Sequence, residues 1–168
     1  MTSVDETVAL WQQASRDKDV DLLRRCLAPE VVMISPLTAA FRFRGPDQLC
    51  QVFAAGWEVL SDLRFHTGVG DERTRALFFH AMAGGLPVEE AQLLRFDDAG
   101  LVTELTLYGR PLPGVTAVMT GIAGPLLRRQ GRPVAARLLT AATAPLALLT
   151  RVGERRIVPL ADPAKARR

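Results

Sequence analysis

Few side chains in this 168-residue chain could move a proton or hold a ligand's polar group, and two histidines lead them. His80 lies in Phe78-Phe79-His80-Ala81-Met82, an apolar run with the alternation of a central strand. There an imidazole acts as a general base or ligand contact near neutral pH, or sits hydrogen-bonded on a sheet face. His66 falls near a strand end, where exposure is expected. Glu89 and Glu90 are adjacent, so alternation sends one to each face of a sheet. Glu90 shares parity with Gln92 and Leu94, which points it either into an interior or to a solvated edge. Glu104 is the remaining carboxylate candidate, and its facing depends on the register of the last strand. Trp11, Phe53 and Trp57 recur at helical spacing and serve either as cavity lining or as plain core.

Other chemistries lack their residues. The sequence has no Cys/His cluster with zinc spacing, no phosphate-binding loop, no dinucleotide fingerprint and no nucleophile elbow. No metal or organic cofactor is therefore expected. Cys26 and Cys50 both fall in apolar helical patterns and read as two buried, inert thiols.

The elements that would position these residues follow from periodicity. Ser3 and Glu6 have capping-box spacing, and Val4, Val8 and Trp11 follow at helical intervals, which predicts a helix over 3–15. Leu22, Leu23, Cys26 and Leu27 predict a short helix over 19–27, stopped before Pro29. Val31–Ser35 reads as a strand and Ala39–Arg44 as its hairpin partner. Gly45-Pro46 opens a third helix, whose face is Leu49, Val52, Phe53, Trp57 and Leu60. The period then changes to two, predicting strands at Leu63–Val69, Thr74–Ala83, Pro87–Phe96 and Leu101–Tyr108. Gly84-Gly85 and Asp97–Gly100 are the turns between them. Helices gathered on one face of a long antiparallel sheet give the α+β class.

From Pro111 the pattern is helical again, with Val115, Val118, Met119, Ile122 and Leu126 in one run and an Ala- and Leu-rich run over 133–150. The reading is a core domain over 1–112, a helical, basic extension over 113–156 and a loose tail over 157–168. Residues 1–127 carry a net charge of −5 and residues 128–168 one of +8. Such a split allows the extension to meet an anionic membrane or a protein partner, or simply to pack back with its arginines solvated. Nucleic acid is not expected, because no aromatic platform is interleaved with the arginines. Met1–Asp5 lacks the basic region of a secretory signal, so a cytoplasmic protein is expected, with a peripheral membrane location as the alternative.

Three strings in this order resemble the nuclear-transport-factor-2-like superfamily in its SnoaL-like branch: Val31-Val32-Met33-Ile34-Ser35-Pro36, Phe43-Arg44-Gly45-Pro46, and Leu94–Glu104 with its Asp97-Asp98-Ala99-Gly100 turn. The resemblance covers about residues 1–112. It implies a cone-shaped curved antiparallel sheet with N-terminal helices packed on it, an interior pocket and a homodimer. Relatives include ketosteroid isomerases, epoxide hydrolases, polyketide cyclases and non-catalytic binding or association domains, so the fold alone chooses no function.

Position by position, the resemblance removes the familiar acids. The isomerase base would stand at Ser35, whose neutral hydroxyl cannot serve, and the protonated acid at Gln92, whose amide can still donate to an oxyanion. Trp11 and Ala14 occupy the place of the isomerase tyrosine. The acid that cyclases and epoxide hydrolases carry on the last strand falls at Leu107, with Leu105 on the same face. A slip of one residue would turn Glu104 inward instead. The expectation is a hydrophobic-ligand pocket lined by Trp11, Ser35, Phe53, Trp57, His80, Gln92, Leu94, Leu105 and Leu107. Two alternatives stand beside it: an isomerase, cyclase or lyase using His80, Glu90 or Glu104, and an association module whose C-terminal helices contact a membrane or partner.

Overall fold

The computed structural model describes residues 3–164. The chain runs α1 (Val4–Asp17), α2 (Val20–Arg25), β1 (Leu27–Ile34), β2 (Phe43–Arg44), α3 (Gly45–Val59), β3 (Leu60–Gly70), β4 (Thr74–Ala83), β5 (Leu86–Phe96), β6 (Val102–Arg110), α4 (Leu112–Arg129) and α5 (Pro133–Arg156). A short 3₁₀ turn follows at Val158–Ala161. The last part of the predicted tail, residues 165–168, lies outside the described residues.

The helix starts follow their capping chemistry. Ser3 Oγ accepts from the Glu6 backbone N–H at 3.1 Å, and the Glu6 carboxylate accepts from the Ser3 N–H at 2.8 Å. Asp19 accepts from the backbone N–H groups of Asp21 and Leu22 and so starts α2. Lys18 takes a left-handed conformation after α1 and donates its ammonium to the Trp57 carbonyl at 2.6 Å. That bond ties the end of α1 to the last turn of α3, where carbonyls lack helical partners.

Six strands form one sheet in the order β2-β1-β6-β5-β4-β3. All neighbours are antiparallel except β1 and β6, which run parallel, a departure from the fully antiparallel expectation. The expected hairpin partner Ala39–Arg44 contracts to Phe43–Arg44. Its N-terminal part is diverted because the Leu37 and Ala40 N–H groups bond to the Ser35 and Thr38 hydroxyls instead of a ladder.

Irregular pairing bends the sheet. Register shifts occur in β3 between Ser61 and Arg64 and between Phe65 and Thr67, and in β6 between its pairings with Arg95 and Phe96. Asp62 sits at φ 54°, the left-handed region that an extra residue in a strand can adopt. Helices α1 and α3 fill the resulting hollow. Trp11 meets Phe53 edge to face at 5.3 Å, and Phe53 meets Trp57 at 5.7 Å, within a core that includes Leu23, Met33, Leu94 and Leu105.

Helix α4 returns over the open end of this hollow. It packs against α3, β4, β5 and β6, and Arg129 forms an ion pair with Glu58 of α3. Two glycines allow the approach. A Cβ at Gly121 would stand 2.6 Å from Val59 Cγ1, and one at Gly114 would collide with the Pro87 carbonyl oxygen. Helix α5 lies on α4, and Ala136 is its buried residue.

Candidate functional site

The hollow under α4 leaves a cavity of about 80 Å³. Its walls are Met33 and Leu37 from the β1 side, Val52, Phe53 and Trp57 from α3, and Phe79, Val88 and Leu107 from the sheet. Val115, Val118 and Ile122 of α4 form its roof. Polar groups come from Ser15, Ser35, Gln92 and Glu90.

These polar groups are set by a chain of donors and acceptors. The Trp11 indole can only donate, and its Nε1 reaches Gln92 Oε1 at 2.8 Å. The amide is thereby oriented with Nε2 towards Glu90 Oε1, 3.3 Å away. Glu90 shares the wall with apolar groups, and burial pushes its carboxyl up to about 7, against a smaller lowering by the Gln92 amide. Ser15 Oγ is a buried atom that lacks a hydrogen-bond partner among the described residues. The pair of Gln92 and a protonated Glu90 thus offers two donors in an otherwise oily space.

Of the expected pocket residues, Ser35, Phe53, Trp57, Gln92 and Leu107 line the cavity. Trp11, Leu94 and Leu105 lie behind it in the core, with Trp11 acting through its bond to Gln92. His80 is corrected to the opposite face. It is exposed, and its neighbour Phe79 takes the inward place that alternation allows only one of them. Glu104 is also outside, paired with Arg95 at 3.3 Å. The pairing from Glu104 onward is regular, and the irregularity at Thr103 lets Val102 be buried as well as Leu105, three residues on. Glu90 is therefore the one member of the three-residue catalytic set that reaches the cavity.

Sequence reasoning missed the roof from α4. It also missed a cluster on the outer face. The irregularity after Phe65 brings His66 beside His80, their rings stacked at 4.3 Å, with Glu89 next to both. Each offers one ligand atom within 4.8 Å of the others. Face-to-face stacking leaves the in-plane lone pairs of the two rings side by side instead of converging on one point, and Arg110 already bonds the Glu89 carboxylate. That guanidinium holds the Glu89 carboxyl below its usual range. The cluster reads as a surface ion-pair network, not a metal centre.

The SnoaL-like domain family model matches residues 8–105, which span α1 to β6. The chain belongs to the SnoaL-like family. Among solved structures, it is similar to a steroid delta-isomerase from Pseudomonas aeruginosa at 25% identity and TM-score 0.67, covering 79% of this chain and 94% of that one. A protein with a cystatin-like fold from Silicibacter pomeroyi gives 23% identity and TM-score 0.70, covering 77% and 93%. A SnoaL-like protein of unknown function from Burkholderia thailandensis gives 15% and 0.54, covering 64% and 94%. No curated protein matches this SnoaL-like chain in sequence. The matched family region ends within β6, so α4 and α5 lie beyond it.

Proposed function

We propose that this SnoaL-like protein binds a small hydrophobic molecule carrying one oxygen, held at Gln92 and Glu90. The observation that carries the reading is the Glu90–Gln92 pair, oriented by Trp11 and set in the wall of an otherwise apolar cavity. A buried polar group without a partner costs about 1–3 kcal/mol, which a ligand oxygen would recover. The free volume of about 80 Å³ is well below the ~300 Å³ at which ligand pockets begin. A ligand of more than a few atoms therefore requires α4 to move outward.

The test is binding of a neutral fluorescent ketone with a single oxygen, 6-propionyl-2-(dimethylamino)naphthalene, to the full chain. Val118→Trp fills the space beneath α4 and should weaken binding at least about tenfold. Equal affinity in the variant would sink the pocket reading.

One observation favours a second reading. A carboxyl that titrates near 7 in an apolar wall is suited to taking and returning a proton beside a carbonyl. The likeness to a steroid delta-isomerase supports testing that substrate class, although the family resemblance puts the isomerase base position at Ser35 here. Isomerisation of a 3-oxo-Δ5-steroid that is lost in Glu90→Gln would favour this reading. No turnover above background would remove it.

A further inference from the structure

Helix α5 is amphipathic in the inverted sense. Its small and threonine side chains turn towards α4: Ala136 is buried, and Thr150 Oγ1 bonds Thr116 Oγ1 at 2.7 Å. Its large apolar residues turn away. Val134 is 69% exposed, and Leu138 and Leu149 are each 68% exposed. With Val152 they recur at intervals of three, four or eleven residues, which stacks them in one stripe along the helix. Ile157 and Leu160 continue the exposed apolar surface beyond the helix end.

Basic residues border this stripe. Arg137, Arg151 and Arg155 follow one edge, and Arg156 closes its C-terminal end. None of these four, nor Arg132, has an ion-pair partner among the described residues, whereas Arg129 is paired with Glu58. An apolar stripe bordered by unpaired cations complements a surface that is oily inside and negative at its rim.

We propose that α5 is a docking helix that lies in the interface of an anionic lipid membrane, leucine stripe inward and arginines at the headgroups. By length and composition Pro133–Ala161 is long and apolar enough to cross a membrane. Its uncharged run, however, extends only from Leu138 to Thr150. At ~1.5 Å per residue that run falls short of a ~30 Å hydrocarbon core. A second copy fits less well, because pairing two such helices would bring like charges together.

The test is flotation of the full chain with vesicles of phosphatidylcholine alone or mixed with phosphatidylglycerol, at low and high salt. Binding should require the anionic lipid and weaken with salt. Leu138→Glu combined with Leu149→Glu should reduce it at least about tenfold. Both positions are exposed, so an unchanged melting temperature will separate lost docking from lost folding. Three results would overturn the proposal: no flotation with anionic vesicles, equal flotation of the double variant, or an oligomer in solution that the double variant dissolves while vesicle binding is absent.

Discussion

Trp11 Nε1 donates to Gln92 Oε1 at 2.8 Å, joining the first helix to the fifth strand across 81 positions of sequence. Both side chains are buried, and the bond decides which end of the amide faces Glu90. The cavity's polar groups are thus aligned by a residue that does not line it.

Removing both partners should therefore cost less than the sum of removing each alone. Gln92→Leu leaves a buried indole N–H unpaired and should destabilise by about 1–3 kcal/mol. Trp11→Phe should cost as much or more, because it also removes ring volume beside Phe53. A double-mutant cycle by denaturant unfolding should give a coupling energy of about 1 kcal/mol or more. Additive losses would show the bond to be energetically idle.

Glu90 should make stability fall as pH rises. Its carboxyl is raised from 4.5 to about 7 by burial, so between those values the folded protein holds a proton that the unfolded chain has released. The loss grows with pH and levels off above about 7. It reaches at most about 3 kcal/mol, less where the side chain meets solvent through the cavity. Glu90→Gln abolishes this term, so its melting temperature should gain on the parent between pH 5 and pH 8. A constant difference across that range would contradict the shifted carboxyl.

Gly121→Ala should loosen the roof, since the new Cβ would stand 2.6 Å from Val59 Cγ1. A loss of about 1–3 kcal/mol is expected for such overpacking. Hydrogen exchange should speed up in α4 and α5 before the sheet. Val59→Ala in the same chain should restore protection, because it removes the colliding methyls. Protection that stays lost would place the strain elsewhere.

The two thiols should be silent in the folded protein. Burial raises Cys26 to about 11 and raises Cys50 as well. Reaction with a disulfide reagent near pH 8 should be at least about a hundredfold slower for Cys26 than for a free thiol, and should recover on unfolding. Rapid labelling of Cys26 in the native protein would contradict its placement.

Local pattern carried much of this fold. The capping box at Ser3 and Glu6, the apolar face of α3 and the alternation of β4 and β5 each report on near neighbours, and periodicity records near neighbours. Glu90 was legible through its parity with Gln92. His80 was not, because alternation separates two faces without saying which one is inside, and Phe79 settled that by burial. Glu104 follows the unslipped register that put Leu105 and Leu107 inward, and the irregularity at Thr103 changes the facing of Val102 instead. The parallel pairing of β1 with β6 and the roof formed by α4 are contacts between distant segments. A helix's own period cannot name the surface it will cover.

Helix α4 faces two ways. Val115, Val118 and Ile122 look into the cavity, while Thr116 holds Thr150 of α5. A single rod that is both ceiling and pedestal would link the two proposed events. An occupant that lifts the rod and shifts the seat of α5 would change the affinity of α5 for its partner, and the partner would change the affinity of the occupant by the same factor. That reciprocity would be measurable as a shift of either affinity in the presence of the other ligand.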